Sequence, residues 1–388
     1  MTVRCNDEEN NMKILTLVER RADYSRMRPI LKELCKDPFF DVYLIVTGVC
    51  LLDTHGKDIN YIKEDGFKIN AEVPMFEENE KNTNTSMVRA LAKVLDGITT
   101  EIEKFQPDLV LTGFDIGANF ATTIAAAHMN IPVAHIQGGE VTGSIDESIR
   151  HAMSKFSHIH FPATEDSRDR LIRLGENPSH IFNVGCPSID TIVQTPLIDK
   201  RILELKFKLN FSKPIILLIQ HSVTSESLQS QKQILNTIAV IKELGIQALV
   251  ALPNNDAGSS EIIDEIKNSG LSWYPSLSTD EFVNLYRHIW AIVGNSSSGI
   301  HESSTFEIPA VNIGTRQNGR EKAKNVIDVS YEKSDIKSGI KKALFDEDFR
   351  RGIKGMKNPY GEGNSSEKII KILKSIPIEG IAQKFFYE

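Results

Sequence analysis

The sequence has few of the features that mark several common classes of protein. Only four of its 388 residues are cysteines, and their scattered spacing predicts neither a zinc site nor a disulfide framework. No apolar run approaches the about 20 residues that a membrane-spanning helix needs. The formal charge of −7 argues against a broad nucleic-acid or anionic-membrane surface, because such surfaces need clustered Lys and Arg. We therefore expect a cytoplasmic protein with neither nucleic-acid nor membrane partners.

What the sequence does contain is a regular alternation of short apolar runs with amphipathic segments. The runs KILTLVE, VYLIVTG, DLVLTG, PVAHI, HIHF and IFNVG form one series, and PIILLIQ, ALVALP, IWAIVGN and PAVNIG form a second. This pattern predicts an α/β fold with two Rossmann-like, doubly wound domains that face each other across a cleft. The predicted divisions are a disordered lead at 1–12, a first domain at 13–187, a connecting helix and linker at 188–213, a second domain at 214–375, and a C-terminal segment at 376–388 that packs back on the body.

The segment QGGEVTGSIDESIRH places three carboxylates among glycines, directly after an apolar strand. Ser144 and Glu147 fit a capping box, which predicts a helix that begins at Ile145. Glu140 then lies on a strand-to-helix loop, and Asp146 lies in the first helical turn. Such loops line the ligand crevice of parallel sheets. Favourable interaction with the helix dipole accounts for Glu147 but not for Glu140.

A serine-rich loop in the second half indicates a phosphate site. In VGNSSSGIHESSTF, Ser296 and Ser297 lie between a strand and a predicted helix, where backbone amides and hydroxyls can hold a phosphate. The spacing matches neither GxGxxG nor GxxxxGK[ST], so nicotinamide cofactors and ATP hydrolysis are not indicated. In GTRQNGRE we assign Arg316, at a strand end, to the phosphate and Arg320 to a solvated helix surface.

Other polar residues follow further predicted strands. Arg21 and Ser25 lie at the first strand-to-helix junction, and Asp115 lies on the loop LTGFDIGAN. In the second half, His221 and Asn254 follow the first two strands. Together these positions predict a site in which one domain binds phosphate and the other presents carboxylates.

These residues carry a resemblance that extends from about Lys13 to the C-terminus. The segments RADYS, HIQGGEVTGSIDESIRHA, VGCPSID, LIQHSVT, PNNDAG, GNSSSG and GTRQNGRE resemble the hydrolysing UDP-N-acetylglucosamine 2-epimerases, including the epimerase half of the animal bifunctional epimerase/kinase. The resemblance implies a glycosyltransferase-B-like fold and release of UDP with inversion at C2 of a 2-acetamido sugar. The product would enter sialic or related nonulosonic acid synthesis. No metal or cofactor is implied, and we expect a homo-oligomer, either a dimer or a tetramer.

The resemblance also implies residue roles. Glu140 and Asp146 fall on catalytic acidic positions, and Asp115 is the third carboxylate. Glu302 matches the acceptor for the uridine ribose, and protonated His221 would offset phosphate charge beside Arg316. The nucleotide-sugar contacts implied are Arg21, Ser25, His221, Asn254, Ser296, Ser297 and Arg316.

Two departures from the family pattern bear on the sugar. TGFDIGAN is one residue longer than the family segment and lacks its arginine, and Cys50 stands where histidine is usual. Two substrates therefore stay open: UDP-N-acetylglucosamine, giving N-acetylmannosamine, and UDP-N,N'-diacetylbacillosamine, giving 2,4-diacetamido-2,4,6-trideoxymannose. The division of acid and base roles among the carboxylates is also open.

Two other classes of function remain as alternatives. A glycosyltransferase-B-type transferase would need an acceptor surface, usually with basic or amphipathic segments, and the sequence shows none. A non-catalytic nucleotide-sugar-binding regulator would not need the carboxylates.

Overall fold

Two parallel six-stranded sheets form the core of the protein. A computed structural model describes residues 11–81, 83–115 and 117–388. The first sheet has the order β3-β2-β1-β4-β5-β6, and its strands are Met12–Val18, Phe40–Thr47, Ala71–Val73, Leu109–Gly113, Val133–Ile136 and Ile159–Phe161, numbered β1 to β6. The second has the order β12-β11-β10-β7-β8-β9, with strands Ile215–Ile219, Gln247–Ala251, Ser272–Tyr274, Ala291–Gly294, Ala310–Ile313 and Val326–Val329, numbered β7 to β12.

Helices cover both faces of each sheet, as short apolar strands joined by amphipathic segments require. Those before the second sheet, α1 to α8, are Arg21–Lys36, Ile59–Glu64, Asn84–Phe105, Gly117–His128, Ile145–Phe156, Glu165–Arg173, Pro187–Gln194 and Lys200–Phe207. Those after its first strand, α9 to α15, are Ser230–Leu244, Ser259–Asn268, Thr279–Tyr286, Ser298–His301, Lys333–Phe345, Glu347–Gly352 and Ser365–Ser375. None of the helices in these described ranges has both the length and the apolar character needed to cross a membrane.

The predicted fold class is confirmed, with differences at the sheet edges. The run IFNVG was predicted as a strand, but it contributes only an isolated bridge between His160 and Ile181. The edge strands β3, β9 and β12 were not predicted, because most of their residues are exposed or half-buried and they lack a continuous apolar run. The domain divisions stay a prediction, although the strands before residue 187 and those after residue 214 belong to different sheets.

The predicted disordered lead needs one correction. Met12 is the first residue of β1 and pairs with Phe40, so the ordered chain includes it. Residues 1–10 of the predicted lead lie outside the described residues.

The C-terminal helix α15 packs on the first sheet, although the predicted boundary groups it with the second. Ile369 and Leu373 belong to the same buried cluster as Ile30 and Leu34 of α1. The chain then continues to Lys384, which donates to the carbonyl oxygens at the end of α5. The end of the chain therefore returns to the first domain.

Candidate active site

One cavity lies where the carboxyl ends of the two sheets meet. Residues that follow β1, β4 and β5 line it from the first domain, and residues that follow β7, β8, β10 and β11 line it from the second. Every predicted site residue except Glu140 lines this cavity: Arg21, Ser25, Asp115, Asp146, His221, Asn254, Ser296, Ser297, Glu302 and Arg316. The site lies at the position expected for open parallel sheets.

The predicted phosphate side is built from the loop after β10 and the loop after β11. The helix that follows the serines is shorter than expected, since α12 comprises only Ser298–His301. Arg316 is nearly buried and donates to the carbonyl oxygen of Asn295 at 3.3 Å. Arg26, which the sequence analysis missed, donates from α1 to Ser297 Oγ at 3.1 Å. Guanidinium groups from both domains thus reach the same serine loop, as an anion site requires.

The structure corrects the expected charge of His221. Burial lowers the pKa of this histidine well below its usual value, and the cations of Arg316 and Arg20 lower it further. His221 Nδ1 lies 3.1 Å from both the backbone nitrogen and the side-chain Oδ1 of Asn254. His221 is therefore a neutral hydrogen-bonding group rather than a cation.

Glu302 has a buried oxygen without a protein partner. Its Oε2 makes no hydrogen bond to any residue in the described part of the chain, although Glu302 is only 7% exposed and lines the cavity. A buried acceptor left unpaired is costly, so this oxygen is available to accept a hydrogen bond from a ligand in the cavity. Apolar side chains form the adjacent wall, where a flat ring could lie: Ile219, Leu252, Pro253, Pro275, Leu277 and Phe282.

Arg21 and Ser25 lie on the first turn of the helix after β1. Arg21 forms an ion pair with Asp58, and its guanidinium lies 3.8 Å from the centre of the Tyr61 ring. Its Nε and Nη1 have no hydrogen-bond partner in the described part of the chain. The hydroxyl of Ser25 donates to the carbonyl oxygen of Ala22 at 2.8 Å. Arg21 therefore retains donors for a ligand.

Asp115 is held by two arginines. Arg150 of α5 makes an ion pair with one carboxylate oxygen, and Arg20 Nη2 lies 3.7 Å from the other. Burial alone would raise the pKa of Asp115, but Arg150 and Arg20 outweigh it and keep the pKa well below its usual range. The loop LTGFDIGAN contains no arginine. The positive charge beside Asp115 comes instead from Arg150 of α5 and from Arg20, which lies directly before α1.

Asp146 lies across the cavity from the phosphate loop. Its Oδ2 is 3.3 Å from Arg316 Nη2. Burial raises the pKa of Asp146, and the negative charge of Asp115 raises it further, while Arg316 opposes both. The cavity thus holds two carboxylates with opposite pKa shifts, an arrangement suited to separate proton-donating and proton-accepting roles.

Glu140 lies behind the cavity surface rather than on it. It is 3% exposed, and it accepts hydrogen bonds from Gln137 Nε2 at 2.8 Å and His301 Nε2 at 3.2 Å. Arg320 Nη2 lies 3.1 Å away. Burial alone would raise the pKa of Glu140, but His301 and Arg320 hold it well below its usual value. The assignment of Arg320 to a solvated surface was wrong, because Arg320 is 7% exposed and pairs with this carboxylate.

The capping box predicted for α5 is also wrong in part. The helix begins at Ile145 as expected, and Ser144 Oγ accepts from the N–H of Asp146 at 3.4 Å. Glu147 instead accepts from the N–H of Thr142 at 2.7 Å. Glu147 therefore holds the loop that precedes the helix.

Sequence reasoning missed four arginines of the site: Arg20, Arg26, Arg150 and Arg320. One signal was available for Arg150, since it follows Asp146 by four positions and must share its helix face. The contacts of Arg26 and Arg320 join residues that are far apart in the chain, so no local sequence pattern predicts them.

The fold and the cavity define a two-domain α/β protein of the glycosyltransferase-B-like class. Its fold is similar to that of UDP-GlcNAc 2-epimerase from Neisseria meningitidis bound to UDP-GlcNAc, with a TM-score of 0.81 and 21% identity, over 94% of this chain and 100% of that chain.

Residues 32–374 match the UDP-N-acetylglucosamine 2-epimerase family, and the chain belongs to that enzyme family. It is 38% identical to the UDP-N,N'-diacetylbacillosamine 2-epimerase (hydrolyzing) of Legionella pneumophila, over 94% of this chain and 96% of that protein. It is 31% identical to the GDP/UDP-N,N'-diacetylbacillosamine 2-epimerase (hydrolyzing) of Campylobacter jejuni, over 97% of this chain and 99% of that protein.

Proposed function

We propose that this enzyme hydrolyses and epimerises a UDP-2-acetamido sugar, releasing UDP and a free N-acetylmannosamine-type sugar. The observation that carries the proposal is the single cavity that joins a serine and arginine anion site to two carboxylates. The direct link is the contact between Arg316 of the second domain and Asp146 of the first, at 3.3 Å. A sugar diphosphate bound there would have its phosphates beside Arg316 and its sugar beside the carboxylates.

The chemistry explains why carboxylates are needed. The C2 proton of such a sugar is only weakly acidic, so direct removal is costly. Breaking the C1–O bond first sends its electron pair to the departing UDP and leaves an oxocarbenium-like sugar. A carboxylate then takes the now acidic C2 proton to give a 2-acetamidoglucal. Water adds at C1 while a proton returns to the opposite face of C2, which inverts that centre.

The proposed roles follow the geometry. Asp115 and Asp146 line the cavity and carry the proton transfers. Glu140 acts as a positioning residue through Arg320, which does line the cavity. The uridine ribose is bound by Glu302. The remaining nucleotide-sugar contacts are Arg21, Ser25, Arg26, His221, Asn254, Ser296, Ser297 and Arg316.

For the sugar, we propose UDP-N,N'-diacetylbacillosamine as the preferred substrate. The support is the name of the relatives at 38% and 31% identity. A Neisseria meningitidis relative named UDP-N-acetylglucosamine 2-epimerase, at 28% identity, favours the second candidate, UDP-N-acetylglucosamine. Either product would enter nonulosonic acid synthesis, and we propose a cytoplasmic homo-oligomer, a dimer or a tetramer, which light scattering would measure.

The test is incubation with each UDP-sugar, followed by NMR of the released nucleotide and sugar. In heavy water we expect UDP, a C2-inverted free sugar and deuterium at C2, with faster turnover of the diacetylated substrate. Release of UDP only with an added acceptor would identify a glycosyltransferase. Tight binding without turnover of either sugar would identify a regulator.

A further inference from the structure

Arg20 lines the cavity, but the nucleotide-sugar contacts proposed above do not include it. It is the last residue before α1, and its backbone N–H and its Nε both donate to Asp23 Oδ2, at 3.0 and 3.3 Å. The Asp23 side chain is completely buried. Arg20 itself lines the cavity and is partly exposed to it. Asp23 therefore fixes the inner end of the guanidinium, and the two Nη groups are left to meet a ligand.

The Nη groups of Arg20 are suited to an anionic ligand that enters the cavity. Its Nη2 is 3.7 Å from Asp115, a carboxylate that Arg150 already pairs. Two guanidinium groups therefore share Asp115, and neither Nη group of Arg20 makes a hydrogen bond to a residue in the described part of the chain. The charge of Arg20 also reaches His221, because it joins Arg316 in lowering the pKa of that histidine. Arg20 thus lies between the carboxylates of the first domain and the phosphate side of the second.

We propose that Arg20 binds the phosphate nearest the sugar, the β-phosphate, and stabilises its charge as the C1–O bond breaks. The inference rests on the proposed function. The α-phosphate would be held by the serine loop, while Arg20 approaches the β-phosphate from the carboxylate side. As the bond breaks, its electron pair moves to the bridging oxygen, and Arg20 and Arg316 offset the added negative charge from opposite walls. Arg20 is then a catalytic residue supplied by the first domain.

The test compares UDP with UMP, which lacks the β-phosphate. Calorimetric titration of Arg20→Met should give a UDP dissociation constant at least about tenfold weaker, the effect of losing one charge-assisted hydrogen bond. The UMP dissociation constant should change less than about twofold. Arg20→Lys keeps a charge without the planar fork and should give an intermediate UDP affinity. Turnover of the UDP-sugar should fall in the same order.

The matched control is Arg168→Met on α6, which removes a guanidinium whose ion pair, within the described residues, is with its neighbour Asp169. Its UDP and UMP affinities should equal those of the wild type. A purely structural Arg20 would behave differently: Arg20→Met and Asp23→Asn would both lower the thermal unfolding temperature and weaken UDP and UMP equally. Equal weakening, or unchanged UDP affinity, would overturn the proposal.

A different result would contradict the proposed function. If the wild-type enzyme released no UDP from either sugar nucleotide, that function would be wrong, yet a selective loss of UDP over UMP in Arg20→Met would still assign the β-phosphate contact. If the wild-type enzyme bound no UDP, both would be wrong.

Discussion

Arg316 Nη2 lies 3.3 Å from Asp146 Oδ2. The arginine of the second domain that we propose to bind phosphate is therefore the counterion of a proposed catalytic carboxylate of the first domain. A bound diphosphate would compete for this guanidinium. When Arg316 turns to phosphate, Asp146 loses its nearest cation and its proton affinity rises. Substrate binding would thereby favour the protonated form of Asp146, from which a proton can be donated.

Replacement of Arg316 by Ala should mainly weaken nucleotide binding. A charge-assisted hydrogen bond contributes about 1.5 to 3 kcal/mol, so UDP affinity should fall by roughly ten- to a hundredfold. The loss of this cation should also raise the apparent pKa that Asp146 contributes to the pH dependence of turnover. Titration calorimetry and a pH profile are the measurements. A UDP affinity equal to that of the wild type would rule out the phosphate role.

Replacement of Asp115 or Asp146 by Asn should remove proton transfer. Each change is nearly isosteric, so the fold and most UDP affinity should remain, while turnover falls at least about a hundredfold. Release of UDP and deuterium incorporation at C2 are the readouts. Glu147→Gln is the control, because its side chain can still accept from Thr142 and does not line the cavity. Near-normal turnover of both Asn variants would show that the carboxylates are not the acid and base.

Glu140→Gln should cost stability as well as activity. Its carboxylate accepts from Gln137 and His301 and pairs with Arg320, all in a buried setting. The glutamine amide removes the negative charge and places an NH2 group opposite groups that are themselves hydrogen-bond donors. We therefore expect a loss of about 3 to 5 kcal/mol of unfolding free energy. Urea denaturation measures it, with Asp146→Asn as the partly exposed comparison. An equal and small loss in both variants would contradict this account.

Gly143→Ala should prevent the two domains from reaching the arrangement described. The N–H of Gly143 donates to the carbonyl oxygen of Arg316 at 3.0 Å, and a Cβ at this position would collide with the carbonyl oxygen of Thr315. We expect a larger radius of gyration by X-ray scattering and weaker UDP binding. Gly352→Ala is the control, since a Cβ there would meet no atom within 4 Å. If both variants had the wild-type radius and affinity, the contact would not govern closure.

Glu19→Gln should change the pH dependence of stability. Burial raises the pKa of Glu19 from 4.5 to about 7, while its Oε2 accepts from the N–H of Ala118. The folded state therefore keeps a proton that the unfolded state releases, and this contribution to stability is complete below pH 4.5 and is lost as the pH rises through 7. The difference between the pKa values of Glu19 in the unfolded and folded states corresponds to about 3 kcal/mol of unfolding free energy. Relative to the wild type, the glutamine variant should gain up to this amount at pH 8 and little at pH 5, measured by urea denaturation. The same difference at both pH values would show that Glu19 does not titrate as described.

The sequence predicts the sheets well because their central strands are continuous apolar runs between turns. It fails at the edge strands β3, β9 and β12, since most of their residues are exposed or half-buried and form no continuous apolar run. For the site, strand ends predict which residues meet, as Asp146 and Arg316 show. Burial and charge are not predictable in the same way. Arg320 looks solvated in GTRQNGRE because its partner, Glu140, comes from the other domain.

The packing of α15 on α1 constrains the order of folding during synthesis. Ile369 and Leu373 complete the core around β1 and α1, and Lys384 donates to Ser154 and Ser157 at the end of α5. Domains usually fold in the order in which the ribosome makes them. Here the first core is completed only when Ile369 and Leu373 are made, while the second sheet already has all its strands by residue 329. The nascent chain therefore carries an incompletely covered first core through most of its synthesis, and a ribosome that stalls before residue 369 leaves that apolar surface open to aggregation and chaperone binding.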